Sequence, residues 1–360
     1  MRVVSSPNVN LTPQKGRGAP SNPTNRFERI TVERDIDWNP EEDPAPRTQF
    51  LRDLSQTAIA YNDSPDIGFG ASVNPYRGCE HGCIYCYARP THEYLGFSPG
   101  VDFESKIMVK ENAPELLRKE LASPKWKPQV IAMSGVTDCY QPIERKLQLT
   151  RRCLAVLAEC RNPVVVITKN FLVTRDVDLF QELAKHNAVS VCVSVTTLDS
   201  DLARAMEPRT STPRQRLEAI ELLSKAGVRV GVNVAPVIPG LTDHEMLSII
   251  DAAVKAGAHF AGYTAVRLPY GVKDLFEQWL DVHAPGKKEK VLNRIRSMRD
   301  GKLNDATWEQ RMSGTGIFAE QIAQMFAVAC RKTGLADVDR FELSTESFRR
   351  PLGPQLGLDL

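Results

Sequence analysis

Val189-Ser-Val-Cys-Val-Ser-Val-Thr196 and Val228-Arg-Val-Gly-Val-Asn-Val234 carry the same alternation twice. Valine takes every second position, and most of the intervening positions are small or polar. Successive side chains of an extended chain point to opposite faces, so each stretch predicts a strand with one aliphatic and one small or polar face. The aliphatic face calls for helices packed against it. A small, polar face repeated on neighbouring strands fits a curved sheet whose inside holds something polar.

Working outward, Val130-Ile-Ala-Met133, Val164-Val-Val-Ile167 and Phe260-Ala-Gly-Tyr-Thr-Ala-Val266 read as further strands, and Ala71–Asn74 as a first one. Helices fall between them. Thr212-Pro213 is an N-cap followed by proline at the first helical position, with Leu217, Ile220 and Leu223 on one face. Thr242-Asp-His-Glu245 has the form of a capping box, ahead of an inward face of Met246, Ile249, Ile250 and Ala253. Glu144 to Cys160 reads as one continuous helix. Strand starts recur roughly every 25–39 residues, the spacing of βα units. The prediction is an α/β fold, a partial (β/α)6 barrel with a mostly helical C-terminal extension, and ligands at the carboxyl ends of the strands. Residues 1–60 form an extended segment, the first 25 or so disordered; 61–270 are the barrel and 271–360 the extension.

The chain has 360 residues, 42% of them hydrophobic, enough for a substantial core. Lys and Arg total 46 against 44 Asp and Glu, so global charge does not point to a dedicated nucleic-acid binder. No apolar run approaches the length of a membrane span, and the N-terminus lacks the apolar stretch of a secretory signal. One local charge bias stands out: Lys287, Lys288, Lys290, Arg294, Arg296, Arg299 and Lys302 lie opposite Val291, Leu292, Ile295 and Met298. It reads as the solvated face of a helix, with a phosphate-backbone contact as the sharper alternative. Phe341 to Pro351 mixes aromatics with Arg349 and Arg350, as a cap over the barrel mouth, a grip on an anionic substrate or a packed surface segment would.

Eight cysteines occur, and three of them sit in Gly78-Cys-Glu-His-Gly-Cys-Ile-Tyr-Cys-Tyr87. The C-x3-C-x2-C spacing places Cys79, Cys83 and Cys86 on one loop after the first strand. Three thiolates can hold three irons of a cubic [4Fe–4S] cluster and leave the fourth iron to a non-protein ligand. A zinc site completed by His81 or His92 is the competing reading of the same loop. Cys139, Cys153, Cys160, Cys192 and Cys330 are scattered and form no second motif. A thiol-ligated cluster suits a reduced cytoplasm.

The cysteine loop, with Tyr85 just before the last cysteine, resembles the radical S-adenosylmethionine (SAM) superfamily. Arg77-Gly-Cys79, Ser134-Gly-Val-Thr-Asp138, Ile167-Thr-Lys-Asn170, Val193-Ser-Val195, Glu207-Pro208 and Val234-Ala-Pro-Val-Ile-Pro-Gly-Leu-Thr-Asp243 are similar to its spore-photolyase-like branch, often labelled DNA repair photolyase. The resemblance implies a [4Fe–4S] cluster and SAM as cofactors. Reductive cleavage of SAM would give a 5′-deoxyadenosyl radical that takes hydrogen from a substrate. It implies a flavodoxin- or ferredoxin-type electron donor, and leaves nucleic acid open as a substrate beside peptides and small metabolites. It places the backbone of Tyr85 and of Ala235 near the adenine, and Lys169 and Ser194 near the carboxylate and ribose. Ser134, Gly135, Thr137 and Asp138 fall near the amino group. That branch carries a hydrogen-donating cysteine three residues before the aspartate of this run. Gly135 stands there instead, and Cys139 is the candidate relocated donor. An iron–sulfur or zinc protein without SAM chemistry is the alternative function.

Overall fold

The computed structural model describes residues 14–27, 47–335 and 342–351. Its main sheet has the order Ala261–Ala265, Val230–Val237, Val189–Ser194, Val164–Thr168, Ile131–Met133, Ala71–Val73, Ile59–Tyr61. The first six in that order run parallel, and Ile59–Tyr61 pairs antiparallel with Ala71–Val73. Helices separate the parallel strands, so the fold is the expected partial barrel. Three helices, Val272–His283, Lys288–Ser297 and Gly316–Thr333, form the C-terminal extension.

Register explains why the sequence alternates. Val191, Val193, Val230 and Val232 are fully buried against the helices. Ser194 pairs with Asn233, and Asn233 with Gly262, so the small and polar positions line up across the lumen. A second, three-stranded sheet joins Gln49–Arg52, Lys106–Val109 and Tyr76–Arg77. It clamps the chain just before Cys79.

Local chemistry departs from expectation at several places. The helix expected over Glu144–Cys160 is two, Glu144–Leu147 and Leu149–Cys160, parted by Gln148 at φ 51°. The Glu144 carboxylate folds back to accept the Thr150 N–H at 3.0 Å and the Arg151 N–H at 3.3 Å, capping the second helix. The Thr212 cap holds, completed by Gln215. Thr242 does not cap: its hydroxyl accepts the Ile238 N–H at 3.0 Å, and Glu245 accepts from the Thr197 hydroxyl and the Leu198 N–H. A tertiary acceptor role outcompetes the local box.

Residues 14–27 have no regular secondary structure but are anchored. The N–H groups of Gly18 and Ala19 donate to Glu104 at 2.9 and 2.8 Å, and Asn25 reaches the carbonyls of Glu93 and Phe97. Part of the stretch expected to be disordered is therefore held by buried acceptors. Its first 13 residues lie outside the described residues, as does Phe341.

Arg349 and Arg350 do not cap the barrel mouth. Arg349 bonds the Cys160 and Glu159 carbonyls, and Arg350 those of Ser123 and Trp126. These carbonyls lie at or just beyond helix C-termini, where cations satisfy orphan acceptors. That is the barrel end opposite the strands' carboxyl ends.

Candidate functional site

The cysteine loop owes its shape to its glycines and to a buried ion pair. Gly78 (φ 79°) and Gly82 (φ 68°) adopt left-handed conformations. A Cβ on Gly78 would come 2.7 Å from the His92 ring, and one on Gly82 2.8 Å from Glu104. Arg89 and Glu104, both fully buried, pair at 2.5 Å. Arg89 also donates to the carbonyls of Gly82, Cys83, Pro99 and Gly100. One guanidinium thus ties the loop to the chain that follows it.

Cys79, Cys83 and Cys86 line a cleft of about 290 Å³ at the carboxyl ends of the strands. Burial pushes the Cys83 thiol well up, helped by Glu207, and pushes the Cys86 thiol up to about 11. The same cleft is lined by Tyr85, Ser134, Gly135, Thr137, Asp138, Lys169, Ser194 and Ala235. Every candidate site residue except Cys139 therefore converges on one space, from stretches far apart in sequence.

Cys139 is fully buried and does not line the cleft. It packs behind Ser134, whose hydroxyl lies 3.5 Å from its sulfur, and burial raises its thiol well above the ordinary value. Ser134, not Cys139, presents its side chain to the cleft. Ser134 and Gly135 have φ of 110° and 134°. The Gly135 carbonyl accepts from the Tyr87 hydroxyl, and a Cβ on Gly135 would meet nothing within 4 Å.

Asp138 is an organiser. Its carboxylate accepts the Thr168 hydroxyl (2.8 Å), the Lys169 N–H (2.8 Å) and the Tyr140 N–H (2.9 Å), and faces His81 Nδ1 at 3.3 Å. Those donors match the roughly four lone-pair sites of a carboxylate. Burial alone would raise the Asp138 carboxyl, but the facing His81 and these donors hold it below its usual range. Asn170 contacts the other ring nitrogen of His81 at 3.0 Å.

Lys169 reaches along the floor to the Ala235 carbonyl at 3.0 Å, with Glu207 at 4.0 Å. Burial lowers its ammonium below the usual lysine value. Glu207 is buried with Arg216 and accepts from the Tyr85 and Thr196 hydroxyls, so it fixes the Tyr85 ring. Burial raises its carboxyl, opposed by Arg216.

His92 takes no part in the cleft. Its ring packs against Phe97 and Phe103, Nε2 donates to the Lys106 carbonyl at 2.8 Å, and Nδ1 is buried with no partner among the described residues. Burial pushes the imidazole from 6.5 down to about 4. On acidification the unfolded chain takes up this proton first. The His92 contribution to stability is intact above pH 6.5 and is lost progressively as pH falls toward 4, by about 3 kcal/mol. Urea unfolding of the apoprotein at pH 7 and pH 4.5 should show a smaller loss for His92→Gln than for the parent.

The basic run at 287–302 is partly spoken for. Lys288 pairs with Asp281, Arg294 with Asp243, and the buried Arg299 bonds the Val266 and Gln310 carbonyls. Val291, Leu292, Ile295 and Met298 face the core as expected. Sequence reasoning missed other lining residues: Ile67, Phe69, Thr264, Arg267 and Met312. Arg267 carried a usable signal, a cation just past an apolar strand, as at Lys169.

Among the described residues no helix is long and apolar enough to cross a membrane. The Radical SAM superfamily model matches residues 73–253. An uncharacterised protein of Mycobacterium tuberculosis (strain ATCC 25618 / H37Rv) is 39% identical over 216 residues, which are 59% of this chain and 64% of that protein. The match thus spans just under two thirds of the mycobacterial relative's length. An uncharacterised protein of Methanocaldococcus jannaschii is 32% identical over 227 residues, 63% of this chain and 81% of that protein. Among solved structures, spore photoproduct lyase complexed with dinucleoside spore photoproduct shares the fold, with a TM-score of 0.58, 14% identity and 80% of each chain covered.

Proposed function

The chain belongs to the radical SAM superfamily, and from that membership we propose that it reductively cleaves SAM at a [4Fe–4S] cluster, with residues 61–270 as the working unit. The observation that carries this reading is the convergence of the three cysteines with Lys169, Ser194 and Ala235 on one cleft. The donor set fits the cofactors. Cys79, Cys83 and Cys86 would hold three irons, and their loop is held by Arg89 from behind. Among the described residues no three His, Cys, Asp or Glu side chains converge tightly enough to hold a single metal ion. A cubic cluster has no such need, because each thiolate takes a different iron.

Bound there, the cluster and SAM would supply a 5′-deoxyadenosyl radical able to take hydrogen from an unreactive carbon. The chain's own residues do the rest. Lys169 presents a cation that can leave the Ala235 carbonyl for a carboxylate. Glu207 locks the Tyr85 ring, and Asp138 holds the loop ends in register. Ile67, Phe69 and Met312 give one side of the cleft an apolar lining. A flavodoxin- or ferredoxin-type donor in a reduced cytoplasm belongs to the same proposal.

A nucleic-acid substrate is the second part of this reading. The likeness to a photoproduct lyase in fold favours it, as does the exposed Tyr87 ring on the cleft wall. The deciding experiment is anaerobic reconstitution. It should yield about four irons per chain and a brown chromophore. Dithionite and SAM should then give 5′-deoxyadenosine. Stable, colourless zinc occupancy with no SAM cleavage would overturn the proposal.

A further inference from the structure

The three fully buried arginines all bond strong oxygen acceptors, whereas the half-buried Arg267 has none among the described residues. Arg89 has Glu104 and four backbone carbonyls, Arg216 has Glu207, and Arg299 has two carbonyls. Arg267 follows the last parallel strand, lines the cleft, and its Nε is buried without a partner among the described residues. Its one side-chain hydrogen bond there runs to the sulfur of Met312 at 3.5 Å, a weak acceptor. No carboxylate among the described residues lies within ion-pair reach of it. The neighbouring cation, Arg311, is by contrast held by Asp66 and Ser64.

A buried guanidinium N–H without an acceptor is costly unless something brings one, and here that N–H is Nε. The free fork opens on the same cleft as the cysteine loop. The Arg267 guanidinium sits 5.3 Å from the centre of the Tyr87 ring, which is 48% exposed, and Phe69 and Ile67 line the cleft beside them. A cation beside an exposed aromatic face and apolar walls suits a nucleotide better than an acidic side chain. The phosphate pairs with the fork while the base stacks.

Resting on the reading of the cleft given above, we propose that Arg267 is the substrate's oxyanion anchor, and that the group it takes is a phosphodiester of a single-stranded or extruded nucleotide whose base enters beside Tyr87. Arg267 then confers specificity by leaving the fork unpaired for any substrate that lacks the oxyanion.

The test is fluorescence anisotropy of labelled eight-residue single strands, DNA and RNA separately, on the anaerobically reconstituted protein with SAM. Arg267→Gln should weaken binding at least tenfold and reduce the salt slope by about 0.7, the value of one single-strand phosphate contact. Arg267→Lys should keep most of that slope, which guards against simple misfolding of the glutamine variant. Equal affinity of parent and R267Q overturns the proposal. So does binding of a labelled acidic hexapeptide where neither strand binds, and so does a fall in SAM affinity of R267Q with strand affinity retained. Production of 5′-deoxyadenosine by the parent protein is read separately. Its absence sinks the SAM reading, while the anisotropy series judges Arg267.

Discussion

Replacing any one of Cys79, Cys83 and Cys86 by alanine is expected to abolish cluster assembly and reduce 5′-deoxyadenosine formation to background. The three thiols occupy one loop, and each would hold its own iron, so two cannot do the work of three. No other cysteine can stand in. Cys139, Cys153 and Cys160 are fully buried in the main core, and neither Cys192 nor Cys330 lines the cleft. Reconstituted single variants should show little iron and no brown chromophore, while far-UV circular dichroism stays close to the parent's. That last point follows from the small volume removed and from the supports of the loop, which are Arg89 and the two glycines and not the thiols. A variant that still holds about four irons would mean that the loop is not the cluster site.

Removing Arg89 should have the largest effect on stability. Both members of the Arg89–Glu104 pair are fully buried, and Glu104 also accepts two N–H groups from residues 18 and 19. Taking away one partner leaves the other charge in a dry interior, which typically costs about 3–5 kcal/mol. Arg89→Met should therefore lower the unfolding free energy by about that much, read from urea denaturation of the apoprotein. It should also release residues 14–27, read as faster amide exchange or proteolysis there. The double variant Arg89→Met with Glu104→Met should recover part of the loss, because no charge is then stranded. If R89M unfolds with the parent's midpoint, the pair is not what holds the loop.

Much of the fold was legible because it is written in local periodicity. Valine at every second position of 189–195 and 228–234 specifies two-faced strands regardless of what surrounds them. The exceptions share one cause. Glu144, Thr242 and Glu245 have local capping or helical roles on paper, yet each binds a tertiary or turn partner that local pattern does not contain. Composition left Arg349 and Arg350 open between a mouth cap and a packed surface segment, and the chain path carries them to the other end of the barrel.

The same division runs through the site. The spacing of Cys79, Cys83 and Cys86, and the strand ends that carry Lys169, Ser194 and Ala235, are properties of the chain itself. A barrel built on those strands can only collect their carboxyl ends at one mouth. The sequence determined, by itself, that a three-cysteine loop and a polar lumen would meet. Only the tertiary structure decided which side chains are already committed: Asp138 to four donors, Cys139 to the core behind Ser134, Glu207 to Arg216 and Tyr85. It also left Arg267 uncommitted beside Tyr87. Whether a polar group is satisfied depends on partners distant in sequence, and no local pattern encodes their approach.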